Sequence, residues 1–175
     1  MGRDKGEIAI NWHGETVPLR VRQLRILESL EPEELLYSGP SRVDGLSRAK
    51  IILDQWSDAG PLSGIASCLE QTTSDLLLCL AVDVARIEKL TLLKLLRKCR
   101  AGQGIVPRIG KRYEPLVAVY PKRAFRLAIS QIAERRLRLQ DFVRRLVSDH
   151  LVTEYSVLDE EIPLFANWNT PADVG

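Results

Sequence analysis

Leu76, Leu77, Leu78, Cys79, Leu80, Ala81 and Val82 follow one another without a polar side chain, and the run stops at Asp83. The run is far short of the ~20 apolar residues of a membrane span. Bounded by Asp75 and Asp83, it reads as a strand buried on both faces, as in the centre of a parallel sheet. Working outward, shorter runs rich in Val, Ile, Leu and Tyr predict strands at 35–38, 50–53, 104–109, 115–120 and 153–158. Longer segments between them predict helices at 18–30, 61–71, 88–100, 123–135 and 139–150. In the first of these, Val21, Leu24, Leu27 and Leu30 form one apolar stripe. Pro61 suits a first helical turn, where its missing N–H costs nothing. Strands alternating with helices predict an α/β fold, a doubly wound and mostly parallel sheet, in a single domain spanning 1–175. No strand is predicted ahead of 35–38, so the sheet is expected to lack its opening element.

The composition narrows the function. The chain has 175 residues, 45% hydrophobic and 27% charged, enough for a full core and too apolar for disorder. A net charge of +2 demands no nucleic-acid partner. No apolar run follows the charges of Met1–Lys5, so neither a signal peptide nor membrane attachment is expected. Cys68, Cys79 and Cys99 are odd in number and lack metal-site or redox spacings, which points to reduced core residues in a cytoplasmic protein.

Four groups of residues are candidates for chemistry. Asp83, at the carboxyl end of the most apolar strand, lies where open α/β sheets bind ligands; the competing role is a helix cap. Asp54 repeats that arrangement after 50–53. Gly60 and Pro61 then open a helix whose N–H groups face the same region, although a plain strand–turn–helix connection has the same spacing. Asn167 and Asn169 share one face of an extended segment, where amide oxygens can complete the shell of a hard cation. Asn169 or Thr170 ahead of Pro171 equally suits a helix N-cap. Lys122, Arg123, Arg126, Arg135, Arg136, Arg138, Arg144 and Arg145 form a basic run, either a phosphate-facing patch or a solvated helix face. His13 and His150 have no catalytic partner at a recognisable spacing.

Taken in order, these segments resemble the molybdenum cofactor guanylyltransferase family of the nucleotidyltransferase group. Met1, Gly2, Arg3, Asp4, Lys5 and Gly6 match the last part of its glycine-rich phosphate loop. Asp54 with Gly60, Pro61, Leu62, Ser63 and Gly64 matches its aspartate and Gly-Pro-Leu-x-Gly turn. Asp83 matches its strand-tip aspartate. Glu114, Pro115, Leu116, Val117, Ala118, Val119 and Tyr120 match a later strand, and Asn167, Trp168, Asn169, Thr170, Pro171, Ala172 and Asp173 match its Asn-x-Asn-Thr-Pro-x-Asp segment. The chain departs from the family in lacking the first strand and the glycine-rich half of the loop. It also has Val84 and Ala85 after Asp83, where the family has a proline.

The resemblance implies a nucleotidyltransferase-like Rossmann variant that moves GMP from Mg-GTP to the terminal phosphate of molybdopterin and releases pyrophosphate. It implies that Asp83, Asn169 and Asn167 hold Mg2+, that Lys5 neutralises the phosphates, and that Asp54 and Ser38 contact the nucleotide. The arginines between 123 and 145 would receive the pterin phosphate. Partners would be GTP, molybdopterin and the enzymes that make or take up the cofactor. The missing loop motivates the other expectation, a remnant that binds a nucleotide or partner without turnover.

Overall fold

A computed structural model of the chain describes residues 5–39, 48–56 and 58–168. It opens with an element absent from the sequence expectations. After a 3-10 turn at Lys5–Glu7, strands β1 (Ala9–Trp12) and β2 (Glu15–Pro18) form an antiparallel hairpin with Ile10 opposite Val17. Its two-residue turn has φ 52° at His13 and 84° at Gly14, and paired positive φ is what a tight hairpin turn of matching twist requires. His13 is therefore a turn residue.

Helix α1 (Leu19–Glu28) follows, then β3 (Leu36–Ser38), β4 (Lys50–Ile52), α2 (Pro61–Gln71), β5 (Leu76–Leu80), α3 (Lys89–Leu96) and β6 (Gly104–Ile109). The chain continues through β7 (Arg112–Tyr113), β8 (Val117–Pro121), α4 (Phe125–Ala133), α5 (Leu139–Ser148) and β9 (Val152–Ser156), and closes with a 3-10 stretch at Asp159–Phe165. The helix expected over 61–71 and the strand over 104–109 have the bounds read from the sequence, while the others shift by one or more residues. No helix of the described residues is long and apolar enough to cross a membrane.

The main sheet has the order β5-β8-β6-β7, with β9 beside β6. The pairs β5–β8 and β8–β6 are antiparallel and β6–β9 is parallel. Thus β5, β6 and β9 run one way and β8, between β5 and β6, runs against them. Alternate residues feed two cores, as the two-residue period of a strand dictates. From β8, Ala118 and Tyr120 meet α2, α4 and α5, through Leu62, Leu69, Ala128, Phe142 and Leu146. Val117 and Val119 meet the opposite layer, through Ile87, Leu92, Leu95 and Phe165. Helical layers on both faces make the sheet doubly wound. Gly104 brings β6 against β8: a Cβ there would lie 1.9 Å from the Val119 carbonyl oxygen.

Strand β5 departs from its expected burial. Its five residues are all half-buried, and among the described residues it is hydrogen-bonded only to β8. Strands β3 and β4 form a separate parallel pair, also without a ladder to β5. Between β3 and β5 lies a cavity of about 570 Å3 lined by Leu36, Leu76, Leu78 and Leu80, by Leu24 and Leu27 of α1, and by Ile65 of α2. Burial pushes the thiols of Cys68 and Cys79, which also line it, up to about 11 and about 12. They stay protonated and unreactive.

Glu34 ties the two sides of the gap together at one end. Its carboxylate accepts hydrogen bonds from the Thr72 and Thr73 hydroxyls, the Thr73 and Ser74 backbone N–H groups and the Ser74 hydroxyl, at 2.6–3.2 Å. Burial alone would raise the pKa of this carboxyl, but the donors outweigh it and hold the group at about 2, from an ordinary 4.5. A depressed carboxyl stabilises the fold above its unfolded pKa, and that contribution is lost as pH falls through the folded value. The melting temperature is therefore expected to fall between pH 4.5 and 2, and the difference between wild type and Glu34→Gln to shrink across that window. A difference that holds constant across it would show that the Glu34 charge contributes nothing.

Candidate active site

Three strand ends supply the site. Ser38 closes β3, Asp54 follows β4, and Asp83 follows β5 after a short turn. The Ser38 hydroxyl donates to Asp54 Oδ1 at 2.5 Å. The close approach of α2 depends on Gly64, where a Cβ would come within 2.6 Å of Ser38 Oγ. Gly60, at φ 57°, turns the chain into Pro61. The turn after Asp54 is clamped from the same helix: the Gln55 N–H donates to Ser67 Oγ and the Trp56 N–H to Ser63 Oγ, both at 3.2 Å. Both serines are buried. Their i, i+4 spacing on α2 was the sequence signal for this clamp, and the sequence reading passed over it.

At the second corner, Lys5 Nζ lies 3.0 Å from Asp83 Oδ2. The Trp168 N–H donates to the Asp83 carbonyl oxygen at 2.8 Å, so the segment carrying Asn167 is clipped to the strand tip that carries Asp83. Residues 85 positions apart in sequence thus meet, with Lys5 beside them. The Arg86 guanidinium lies 5.7 Å from the Trp168 ring centroid, a contact the sequence reading missed. Asn169, Thr170 and the rest of that segment lie outside the described residues. Ser38, Asp54, Gly60 and Gly64 share the 570 Å3 cavity with Ala81 and Val82, the two residues that lead into Asp83.

A second cavity, of about 460 Å3, begins at Val84 and Asn167 and is bordered by Arg112, Glu114, Arg138, Gln140 and Arg144. Burial raises the Glu114 pKa, opposed by Arg112. The basic run is therefore divided. Arg138 and Arg144 border this cavity, whereas Arg136 pairs with Glu134 and Arg145 with Asp149 on exposed surface. Arg123 and Arg126 lie near Phe125 on a different face. Arg112 lies outside the run, in the two-residue strand β7, and only the fold brings it in.

Among the described residues no three His, Cys, Asp or Glu side chains cluster as a metal cage. One carboxylate with a neighbouring amide nevertheless suits a cation that takes its remaining ligands from phosphates and water, as magnesium does. Asp83 would supply the carboxylate of such a site, and the backbone contact from Trp168 brings Asn167 into its neighbourhood.

Residues 1–151 match the model of the MobA-like NTP transferase domain. The chain is 34% identical over 183 residues to a probable molybdenum cofactor guanylyltransferase of Opitutus terrae, covering 99% of this chain and 86% of that protein. It is 30% identical over 125 residues to a protein of the same description from Bacillus subtilis, covering 68% and 63%. Among solved structures, the molybdopterin-guanine dinucleotide biosynthesis protein A of Archaeoglobus fulgidus superposes with a TM-score of 0.69 at 21% identity, over 99% of this chain and 88% of that one.

Proposed function

The chain belongs to the MobA-like NTP transferase family, and from that premise we propose that it transfers GMP from Mg-GTP to the terminal phosphate of molybdopterin. An oxygen of the acceptor phosphate attacks the α-phosphorus, the bond to the β-bridging oxygen breaks, and pyrophosphate leaves with the electron pair. A phosphate monoester is already largely anionic at neutral pH, with a second pKa of about 6, so no side-chain base is needed. What the protein must supply is alignment and charge neutralisation.

The observation that carries this reading is the meeting of Lys5, Asp83 and the Asn167–Trp168 segment just beyond Ala81 and Val82, which line the cavity that also holds Ser38 and Asp54. Asp54 offers its carboxylate to the N1–H and N2–H edge of guanine, with Ser38 fixing its orientation. Asp83 and Asn167, joined by Asn169, would hold magnesium, which when bound neutralises charge on the phosphates. Lys5 exchanges its contact with Asp83 for a phosphate oxygen. Arg112, Arg138 and Arg144 border the space next to Asn167, and their guanidinium forks match the oxygens of an acceptor phosphate.

Nucleotide binding with magnesium tests the base assignment. GTP is expected to bind at least tenfold more tightly than ATP, CTP or UTP, and Asp54→Asn to reduce that preference. Equal affinity for all four would overturn the guanine reading.

A further inference from the structure

We infer that Arg20 is a contact for the phosphate chain of the nucleotide, with Glu7 as an exchangeable counterion that holds its place when no nucleotide is bound. The inference rests on the nucleotidyl-transfer reading above and extends it to a residue outside the resemblance.

Two buried arginines on α1 make the contrast. Arg22, 7% exposed, is satisfied by the protein: Nη1 donates to Gln23 Oε1 at 2.7 Å and Nη2 to the Ile87 carbonyl at 2.8 Å. Arg20, 8% exposed, is satisfied only in part: Nη1 pairs with the Glu7 carboxylate, while its buried Nε has no acceptor among the described residues. A guanidinium presents five N–H donors, and a buried charge with donors unmet is unfavourable unless a well-shaped anion meets it. Arg20 lines the cavity shared by Ser38, Asp54, Gly60 and Gly64, in a wall where Leu24 and Leu27 show that an apolar side chain fits.

The position selects the anion. Glu7 ends the 3-10 turn that begins at Lys5, which is bonded to Asp83. Gln23, almost one turn beyond Arg20 on α1, donates to the carbonyls of Ala81 and Val84, which bracket the Asp83 tip. Arg20 is thus linked through neighbours on both sides to the phosphate end of the site, while its cavity continues to Ser38 and Asp54 at the base end. Glu7 is 55% exposed and can turn into water, whereas Arg20 is enclosed. An incoming phosphate therefore replaces Glu7 and meets the idle Nε, and the planar fork of Arg20 can bond two of its oxygens.

Binding of GTP, guanosine and inorganic tripolyphosphate to wild type, Arg20→Met and Glu7→Gln tests this. Arg20→Met is expected to weaken GTP and tripolyphosphate about tenfold or more and to leave guanosine within twofold. Glu7→Gln, on the exposed side of the pair, is expected to strengthen tripolyphosphate severalfold. A folded Arg20→Met with wild-type tripolyphosphate affinity overturns the inference and leaves the guanylyl reading intact. If Arg20→Met fails to fold, Glu7→Gln decides, and unchanged or weaker tripolyphosphate binding overturns the inference. Tripolyphosphate binding that is lost in Arg20→Met, with no preference for GTP over other nucleotides, supports Arg20 and overturns the guanine assignment instead. A wild type that binds guanosine but not tripolyphosphate overturns Arg20 alone.

Discussion

Asp83→Asn is expected to lower guanylyl transfer by at least about 10²-fold, the scale on which a single preorganised electrostatic contact acts in a transition state. The substitution keeps the side chain's shape and removes its charge. The fold has little to lose, because the hydrogen bond that clips the Trp168 segment uses the Asp83 backbone carbonyl. The Lys5–Asp83 pair is partly open to solvent, with side chains 42% and 17% exposed, and such pairs contribute no more than ~1 kcal/mol. Activity should therefore collapse while the melting temperature moves by only a few degrees. Transfer at near wild-type rate would remove Asp83 from the reaction. Loss of activity in step with loss of folded protein would make it a structural residue.

The fold was legible wherever a local pattern coincided with its tertiary role. Leu62, Ile65 and Leu69 of α2 lie on one helical face that is also the buried face, and Gly60–Pro61 marks where the helix starts. The alternation in Val117–Tyr120 divides the residues between two cores as a strand's geometry requires. The hairpin at Ala9–Pro18 escaped although Ile8, Ile10 and Trp12 alternate with Glu7, Asn11 and His13 as a half-buried strand requires, because each of its strands is only four residues long. The His13–Gly14 turn was its local signal. The direction of β8 was not legible: nothing in Val117–Pro121 says that it runs against β5 and β6, because an apolar run reads the same both ways. At the site, single aspartates at strand ends stood out. Arg20 and the Ser63–Ser67 clamp did not, since arginine on a helix reads as solvent-facing and serine on a helix as neutral, and only packing decides otherwise; Arg112, exposed on a two-residue strand, is brought to the second cavity by the fold alone.

A strand of five apolar residues fused ahead of Met1 is expected to raise the melting temperature by about 10 °C and to increase nucleotide turnover. The reason lies in the gap between β3 and β5, which among the described residues are each paired on one side only and face a cavity of about 570 Å3 walled by leucines. Burying five apolar side chains contributes ~1.5–3 kcal/mol each, which roughly offsets the ~2 kcal/mol per residue of backbone and side-chain entropy lost on ordering them. The surplus is then the new ladder to both neighbours, up to about ten hydrogen bonds at ~0.5 kcal/mol each, or ~3–5 kcal/mol in all. In a chain of this length each kcal/mol shifts the midpoint by ~2–4 °C. Geometry favours the connection, because a strand running parallel to β5 ends beside Asp83, where Lys5 is already bonded. The same extension with aspartate at alternate positions is the control: it cannot enter a slot apolar on both faces, and its midpoint should stay at the starting value. Equal midpoints for the apolar and charged extensions would mean that β3 and β5 gain nothing from a strand between them. The half-buried leucines of β5 would then be as stable at an edge as in the interior of a sheet.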